Sequence, residues 1–296
     1  MQATNLKTVD EIEVVPLGKV LGAEIRGVDL TNMTDDEFEV IRQASLDHLV
    51  IRVRDQKLDD PALIAFGKRF GELEPPGMSI IGKPYIDEYP DILVISNIVG
   101  EDGVPKGNLG SGEAVWHTDM SYRETPVSYA ILHAWEIPPS GGNTYFSNMY
   151  EAYETLPDDL RAIVDDNCII LHDESTNSAG QLRKGFEKVA DPRNAPGAKH
   201  PAVRLIPETG RKCLYLGRRP NSYIMGMELE ESDRTLDRLW AHVAQKEFTW
   251  GHEWQLGDVL IWDNRCLLHR RDEFDPNARR MMHRVQLKGE RPVAGY

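Results

Sequence analysis

Short apolar runs bounded by turn residues set the tightest limit on what this chain can fold into. They occupy 92–98, 128–135, 168–172, 212–216, 258–263 and 283–287. Clusters of Gly, Pro, Asn and Asp, such as PPSGGNT at 138–144, bound many of them. Runs of that length between such residues read as β-strands joined by turns. Helical signals are fewer and come mostly early. Thr34 and Glu37 make a capping box ahead of Phe38 and Ile41. Asp60-Pro61 starts a second helix, with Leu63, Phe66 and Phe70 on its stripe and Gly71 as its stop. Asn148 and Glu151 open a third, which Pro157 interrupts or ends. Ser232 opens a fourth, with Leu236, Leu239, Trp240 and Val243 on one face. No regular βαβ alternation occurs. The pattern predicts a mainly β fold, a closed or sandwiched sheet core with flanking helices.

A chain of 296 residues buries a core without needing a metal or disulfide to hold it. One domain spanning 1–296 is expected. The Pro/Gly-rich stretches at 75–79, 99–112 and 191–201 read as excursions from it, because apolar segments continue on both sides. The net charge of −14 disfavours phosphate backbones and anionic lipid, so no nucleic-acid or membrane partner is expected. Cys168, Cys213 and Cys266 are far apart, which fits a reducing, cytoplasmic location better than a disulfide framework. The first residues lack an apolar signal region, and no apolar run approaches the ~18 residues of a membrane span.

Phosphate-loop, dinucleotide, zincin and nucleophile-elbow motifs are all missing. Two features carry chemistry instead. His117-Thr118-Asp119 places imidazole and carboxylate two residues apart, on one side of an extended segment. A similar pairing, His172-Asp173-Glu174, occurs about as often as chance would give, so neither is diagnostic alone. The second feature is a basic island around His269, Arg279, Arg280, His283 and Arg284 in this acidic chain. Arginine's planar fork suits a carboxylate. Together, a His-x-acid pair and one distant histidine make the two-His-one-carboxylate set of a non-haem Fe(II) oxygenase, which leaves coordination positions open. Ten residues separate His269 from Arg280, an anchor for a dicarboxylate. A zinc hydrolase built on the same three ligands would leave Arg280 unexplained. A non-catalytic binding protein on such a β core would not need an intact triad.

In these stretches the chain resembles the TauD/TfdA family of Fe(II)/2-oxoglutarate-dependent oxygenases, named for taurine and 2,4-dichlorophenoxyacetate dioxygenases. The similar segments are LGAEIRGVDL, FGKRFGEL, WHTDMSY, IPPSGGNT, HPAVRLIPETGRK, IMGM, WDNRCLLHR and RRMMHR, spread from about residue 14 to 290. The resemblance implies a double-stranded β-helix, or jelly-roll, core. It implies Fe(II), 2-oxoglutarate and O₂, with 2-oxoglutarate going to succinate and CO₂ as a small anionic organic substrate is hydroxylated. Carried over by position, His117, Asp119 and His269 match the iron ligands, and Thr144 and Arg280 match the residues bonding 2-oxoglutarate. Trp262 matches an aromatic wall of that pocket, and Arg284 matches the arginine that meets the substrate's anionic group. Asn143 stands where the family commonly has Asp. Residues 76–112 match poorly and shape the substrate pocket. ETGRK and GRR resemble the phenoxyacetate branch, which favours an aryloxyalkanoate over taurine, an alkyl sulfonate or a sulfate ester. A homo-oligomer is the expected assembly. Arg218 and Arg219 lie in a segment able to reach the pocket, and His283 is expected to be a core residue.

Overall fold

The structure, a computed structural model, describes residues 12–76, 81–112, 114–178 and 180–296. Part of the 75–79 loop and nearly all of the N-terminal stretch read for a signal segment fall outside the described residues. Among the described residues, the largest sheet has nine strands. Its order is Glu13–Pro16, Ala23–Arg26, Val50–Val53, Val259–Asp263, Tyr129–Glu136, Met281–Leu287, Leu93–Ser96 and Asn108–Leu109, with Leu73–Glu74 also paired to Met281–Leu287. Most pairings are antiparallel; the parallel exceptions are Leu93–Ser96 with Asn108–Leu109, and Ala23–Arg26 with Val50–Val53, which the helix between them joins as a single βαβ unit. The apolar runs read from the sequence are all found, with ends displaced by a few residues.

The two-residue period of a strand sorts these side chains onto two faces. Ile131, Ile261 and Val285 join Phe38, Ile41, Leu63 and Phe66 under the first two helices. Ala130, Leu132, Leu260, Trp262 and Met282 lie in the other core with Phe146 and Leu268. Both faces are covered, which is why the central strands read as nearly continuous apolar runs. A four-stranded sheet, ordered Thr249–His252, Thr144–Asn148, Leu267–Arg271 and Ala114–His117, supplies Phe146 and Leu268. The Phe146 ring meets Trp262 of the large sheet at 5.7 Å, so the two sheets join through aromatic contact.

The helix Asp35–His48 carries the expected capping box, with Glu37 N–H donating to Thr34 Oγ1 at 3.2 Å and Thr34 N–H to Glu37 Oε2 at 2.6 Å. The helix Asp60–Phe70 is capped by Asp59, whose Oδ1 accepts from Ala62 N–H at 2.9 Å. Gly67 lets this helix approach the sheet, because a Cβ there would lie 2.9 Å from Val285 Cγ2. Asn148 caps Met149–Glu154, and Pro157 then leads directly into a further helix, Asp158–Asp165. The helix expected from Ser232 begins earlier, spanning Leu229–Val243 with Glu228 at its cap. Ser232 is instead inside the helix, and its hydroxyl oxygen accepts from Ile224 N–H at 2.9 Å. No helix among the described residues is long and apolar enough to cross a membrane.

Asn148 ties three elements together. Its Oδ1 accepts from Tyr150 and Glu151 N–H, and its Nδ2 donates to Val20 O at 2.7 Å. Asn148→Ala removes a cap and leaves a carbonyl without its donor, which should cost about 1–3 kcal/mol. Urea unfolding should show a lower midpoint with an unchanged slope; an unchanged midpoint would deny the residue this role.

Candidate active site

The register of the four-stranded sheet builds the site. His269, in the middle of Leu267–Arg271, lies directly across from His117, the last residue of Ala114–His117. Their ring centroids are 4.1 Å apart. After His117 the chain turns, with Met120 at a φ of 52°, and brings Asp119 back beside both rings. Asp119 Oδ1 is 3.5 Å from His117 Nε2, and Oδ2 is 3.7 Å from His269 Nε2. Ligand atoms of all three residues fall within 4.8 Å of one another, and all three residues are buried. Among the described residues this is the one His/Cys/Asp/Glu cluster of metal-binding geometry.

The surroundings set these donors in a metal-ready form. His117 Nδ1 lies 2.8 Å from Val115 O, so the proton sits there and Nε2 presents its lone pair inward. Burial and the neighbouring His117 lower the His269 pKa to about 3, which keeps that imidazole neutral. Burial opposes ionisation of Asp119, but Arg284 and the two histidines outweigh it and hold the carboxyl well below its ordinary range. Deprotonated, inward-facing donors are what a divalent cation requires. Asn264 holds the Asp119 backbone at both ends, accepting from its N–H at 3.0 Å and donating to its carbonyl at 3.0 Å. Thr118 Oγ1–H donates to Leu267 O at 3.1 Å, tying the His117 turn to the His269 strand.

Trp262 lies 5.1 Å from the His269 ring, fully buried, with its Nε1 unpartnered. Thr144 starts the strand beside His269, opposite Arg271 on one side and His252 on the other. Arg280 is 2% exposed and has no carboxylate within ion-pair distance among the described residues. Burial, helped by Arg271, lowers its pKa to about 9. Its backbone N–H donates to Asn97 Oδ1 at 3.0 Å, while Asn97 Nδ2 donates to Ala278 O at 2.7 Å. Gly142, two residues before Thr144, leaves room for this side chain, since a Cβ there would lie 3.3 Å from Arg280 Nε.

Arg284 has a different setting. Its Nη1 donates to Asp119 Oδ2 at 2.9 Å, and Gln286 Nε2 donates to the same oxygen at 3.0 Å. The guanidinium therefore has a protein counterion, and its burial does not by itself require an anionic substrate. Arg218 is equally interior, 5% exposed and bridged through its backbone to His117. It donates to the carbonyls of Thr176 at 2.6 Å and Asp173 at 3.3 Å, and burial with nearby Arg183 lowers its pKa to about 10. Arg219 instead pairs with Asp233 and Asp237 at 3.0 and 2.7 Å near the surface. His283 pairs with Asp60 at 2.6 Å on the helix-covered face, away from the three ligands. His172 is buried against His200 and Tyr215, while Asp173 accepts from Ser175, Thr176 and Asn221 and so builds a turn.

Gln286, Asn97 and Asn264's grip on Asp119 are absent from the sequence reading. Only Gln286 carried a signal, its even spacing from Arg284 along one strand. Asn97 comes from the stretch that matches the family poorly.

The family model described as "Taurine catabolism dioxygenase TauD, TfdA family" matches residues 13–286. Pentalenolactone F synthase of Streptomyces avermitilis is 34% identical, over 90% of this chain and 91% of that protein. The (S)-phenoxypropionate/alpha-ketoglutarate-dioxygenase of Delftia acidovorans is 31% identical, over 96% and 97%. A solved structure of AAD-2 in complex with Mn(II) and N-oxalylglycine superposes with a TM-score of 0.77 at 27% identity, covering 96% of this chain and 99% of that one. The chain belongs to the TauD/TfdA family and is a 2-oxoglutarate-dependent non-haem iron dioxygenase.

Proposed function

We propose that His117, Asp119 and His269 hold the Fe(II), that Arg280 and Thr144 bind the far carboxylate of 2-oxoglutarate, and that the enzyme hydroxylates a small organic acid. The observation that carries this reading is the buried His-Asp-His cluster with an interior arginine nearby that lacks a carboxylate partner. A guanidinium left without a counterion in a low-dielectric interior is costly, and a dicarboxylate cosubstrate removes that cost. In this reading the two facing sheets form a jelly-roll core within one domain.

Bound iron and 2-oxoglutarate supply the oxygen activation, with 2-oxoglutarate as the electron donor that leaves as succinate and CO₂. The protein positions the reactants and keeps water out. His117, Asp119 and His269 would hold the ion as three protein ligands and leave room for cosubstrate and oxygen. Arg284 and Gln286 both bond Asp119 Oδ2, which would leave Oδ1 the freer oxygen for the ion. Trp262 and Phe146 form a dry wall behind His269. The cationic side chains near Asp119 favour an anionic substrate, and an aryloxyalkanoate fits the likeness to the phenoxypropionate enzyme. An alkyl sulfonate or sulfate ester is the second reading, because an arginine accepts either kind of anion. Anaerobic loading with Fe(II) and 2-oxoglutarate, then a panel of aryloxyacetates, aryloxypropionates, sulfonates and sulfate esters scored by succinate release, tests it.

His117→Ala should remove bound iron and turnover while leaving the melting temperature near wild type. Retention of stoichiometric iron and full activity would rule out the ligand assignment. Arg280→Ala should raise the KM for 2-oxoglutarate tenfold or more, since truncating one partner of a buried charge pair costs several kcal/mol. The KM for the organic substrate should change little; equal movement of both constants would assign Arg280 elsewhere. For the substrate anion, turnover of an acid is compared with that of its amide in wild type, Arg284→Ala and Arg218→Gln. The variant that erases the preference identifies the anchor. A wild type that turns over both equally would eliminate an anion anchor altogether.

A further inference from the structure

We propose that Trp254 is a positioning residue for the cosubstrate, acting by orienting the hydroxyl of Thr144. The proposal rests on the assignment of Thr144 and Arg280 to the 2-oxoglutarate carboxylate made above. Trp254 Nε1–H donates to Thr144 Oγ1 at 3.1 Å. An indole N–H can only donate, whereas a threonine hydroxyl has one hydrogen and two lone pairs. Trp254 therefore occupies a lone pair and leaves the hydroxyl hydrogen to be donated elsewhere. Among the described residues the Thr144 side chain makes no other hydrogen bond. Thr144 is 5% exposed, and the segment just before it lies against Arg280. An anion held by Arg280 is the acceptor this arrangement prepares for. If Trp254 offered no donor, the hydroxyl hydrogen would have no fixed direction, and ordering it would fall to the bound ligand.

Trp254 is itself firmly seated. His252, two residues earlier, is fully buried and sits opposite Thr144 across the strand pair. Its ring meets Trp254 edge-on, with centroids 4.5 Å apart and an interplanar angle of 89°. The Asp258 carboxylate lies 3.0 Å from His252 Nε2 and also accepts from Arg54 Nη1 at 2.6 Å and Gln255 N–H at 2.8 Å. The indole thus stands on a buried histidine beside the Arg54–Asp258 ion pair and reaches from it to the hydroxyl.

The test is a double-mutant cycle read by calorimetry, titrating 2-oxoglutarate into anaerobic Fe(II)-loaded enzyme. Trp254→Phe keeps an aromatic ring against His252 and removes the N–H. It should weaken the 2-oxoglutarate Kd about three- to tenfold, the worth of one ordinary hydrogen bond. In the Thr144→Val background the same substitution should have no further effect, because the hydroxyl it orients is gone. Melting curves confirm folding, and Trp254→Met, which also lacks the N–H, provides the same comparison should the Phe variant fold poorly. Equal losses in both backgrounds, or no loss in the wild-type background, would overturn the proposal. Failure of the wild type to bind 2-oxoglutarate, or an unaffected Kd in Thr144→Val alone, would overturn the assignment of the cosubstrate site instead.

Discussion

The pairing of His117 with His269 across two short antiparallel strands is the constraint on which the rest of the site depends. Successive residues of a strand point to opposite faces, so a slip of one residue would turn one imidazole away from the other. The strand Ala114–His117 is an edge strand and only four residues long, which makes its register vulnerable. It is held by bonds at its ends. Val115 N–H donates to Ser178 O, Thr118 N–H donates to Gly217 O, and Thr118 Oγ1–H donates to Leu267 O. The last of these links the turn carrying Asp119 directly to the strand carrying His269. The three donors are therefore fixed relative to one another by backbone and near-backbone bonds, before any ion contributes.

The electrostatics of the site follow from burial. A chain with a net charge of −14 has carboxylates to spare, yet the interior arginines near the ligands are partnered unequally. Arg284 bonds Asp119, and the pairing lowers the cost of burying both charges. Arg218 relies on backbone carbonyls, which are dipoles rather than counterions. Arg280 has no carboxylate within ion-pair distance among the described residues. The supply of carboxylates does not explain the difference, since most of the chain's carboxylates pair at the surface or remain in water. Geometry does: Gly142 and the Asn97 bonds shape a slot around Arg280 that no acidic side chain of the described residues enters.

Much of this was legible in the sequence, and the exceptions have physical causes. Apolar strands of the large sheet were visible because both of their faces are buried and their residues read as continuous hydrophobic runs. The strands of the smaller sheet were mostly not. Thr144–Asn148 and Leu267–Arg271 mix core residues such as Phe146 and Leu268 with Thr, Asn, His and Arg, and the polar positions hide the strand signal. Two of those polar residues, Thr144 and His269, belong to the proposed site, so function masks structure at these positions. Helix starts were legible when a side chain capped them, as at Thr34 and Asn148. The start at Leu229 was not, since Glu228 caps without a side-chain bond and Ser232, a plausible cap, is used to hold Ile224. The triad was found through its spacing, whereas Asn97 acts through contacts between distant segments that no local pattern announces, and Gln286 was marked only by its even spacing from Arg284.

The contrast between Arg280 and Arg284 bears on how a site can tell two anions apart. Both guanidiniums are interior and come from one stretch of chain, so charge alone would let either anion occupy either place. Their surroundings differ in the work a ligand must do. An anion reaching Arg280 meets a cation with no carboxylate to displace, and its binding gains the full pairing energy. An anion reaching Arg284 must share the guanidinium with Asp119 or draw it away. Drawing it away leaves Gln286 as the remaining donor fixed on Asp119 Oδ2 and alters the field at a proposed metal ligand. On the proposed roles, cosubstrate binding at Arg280 breaks no ion pair of the protein, whereas substrate binding at Arg284 disturbs one and through it reaches Asp119, a proposed metal ligand.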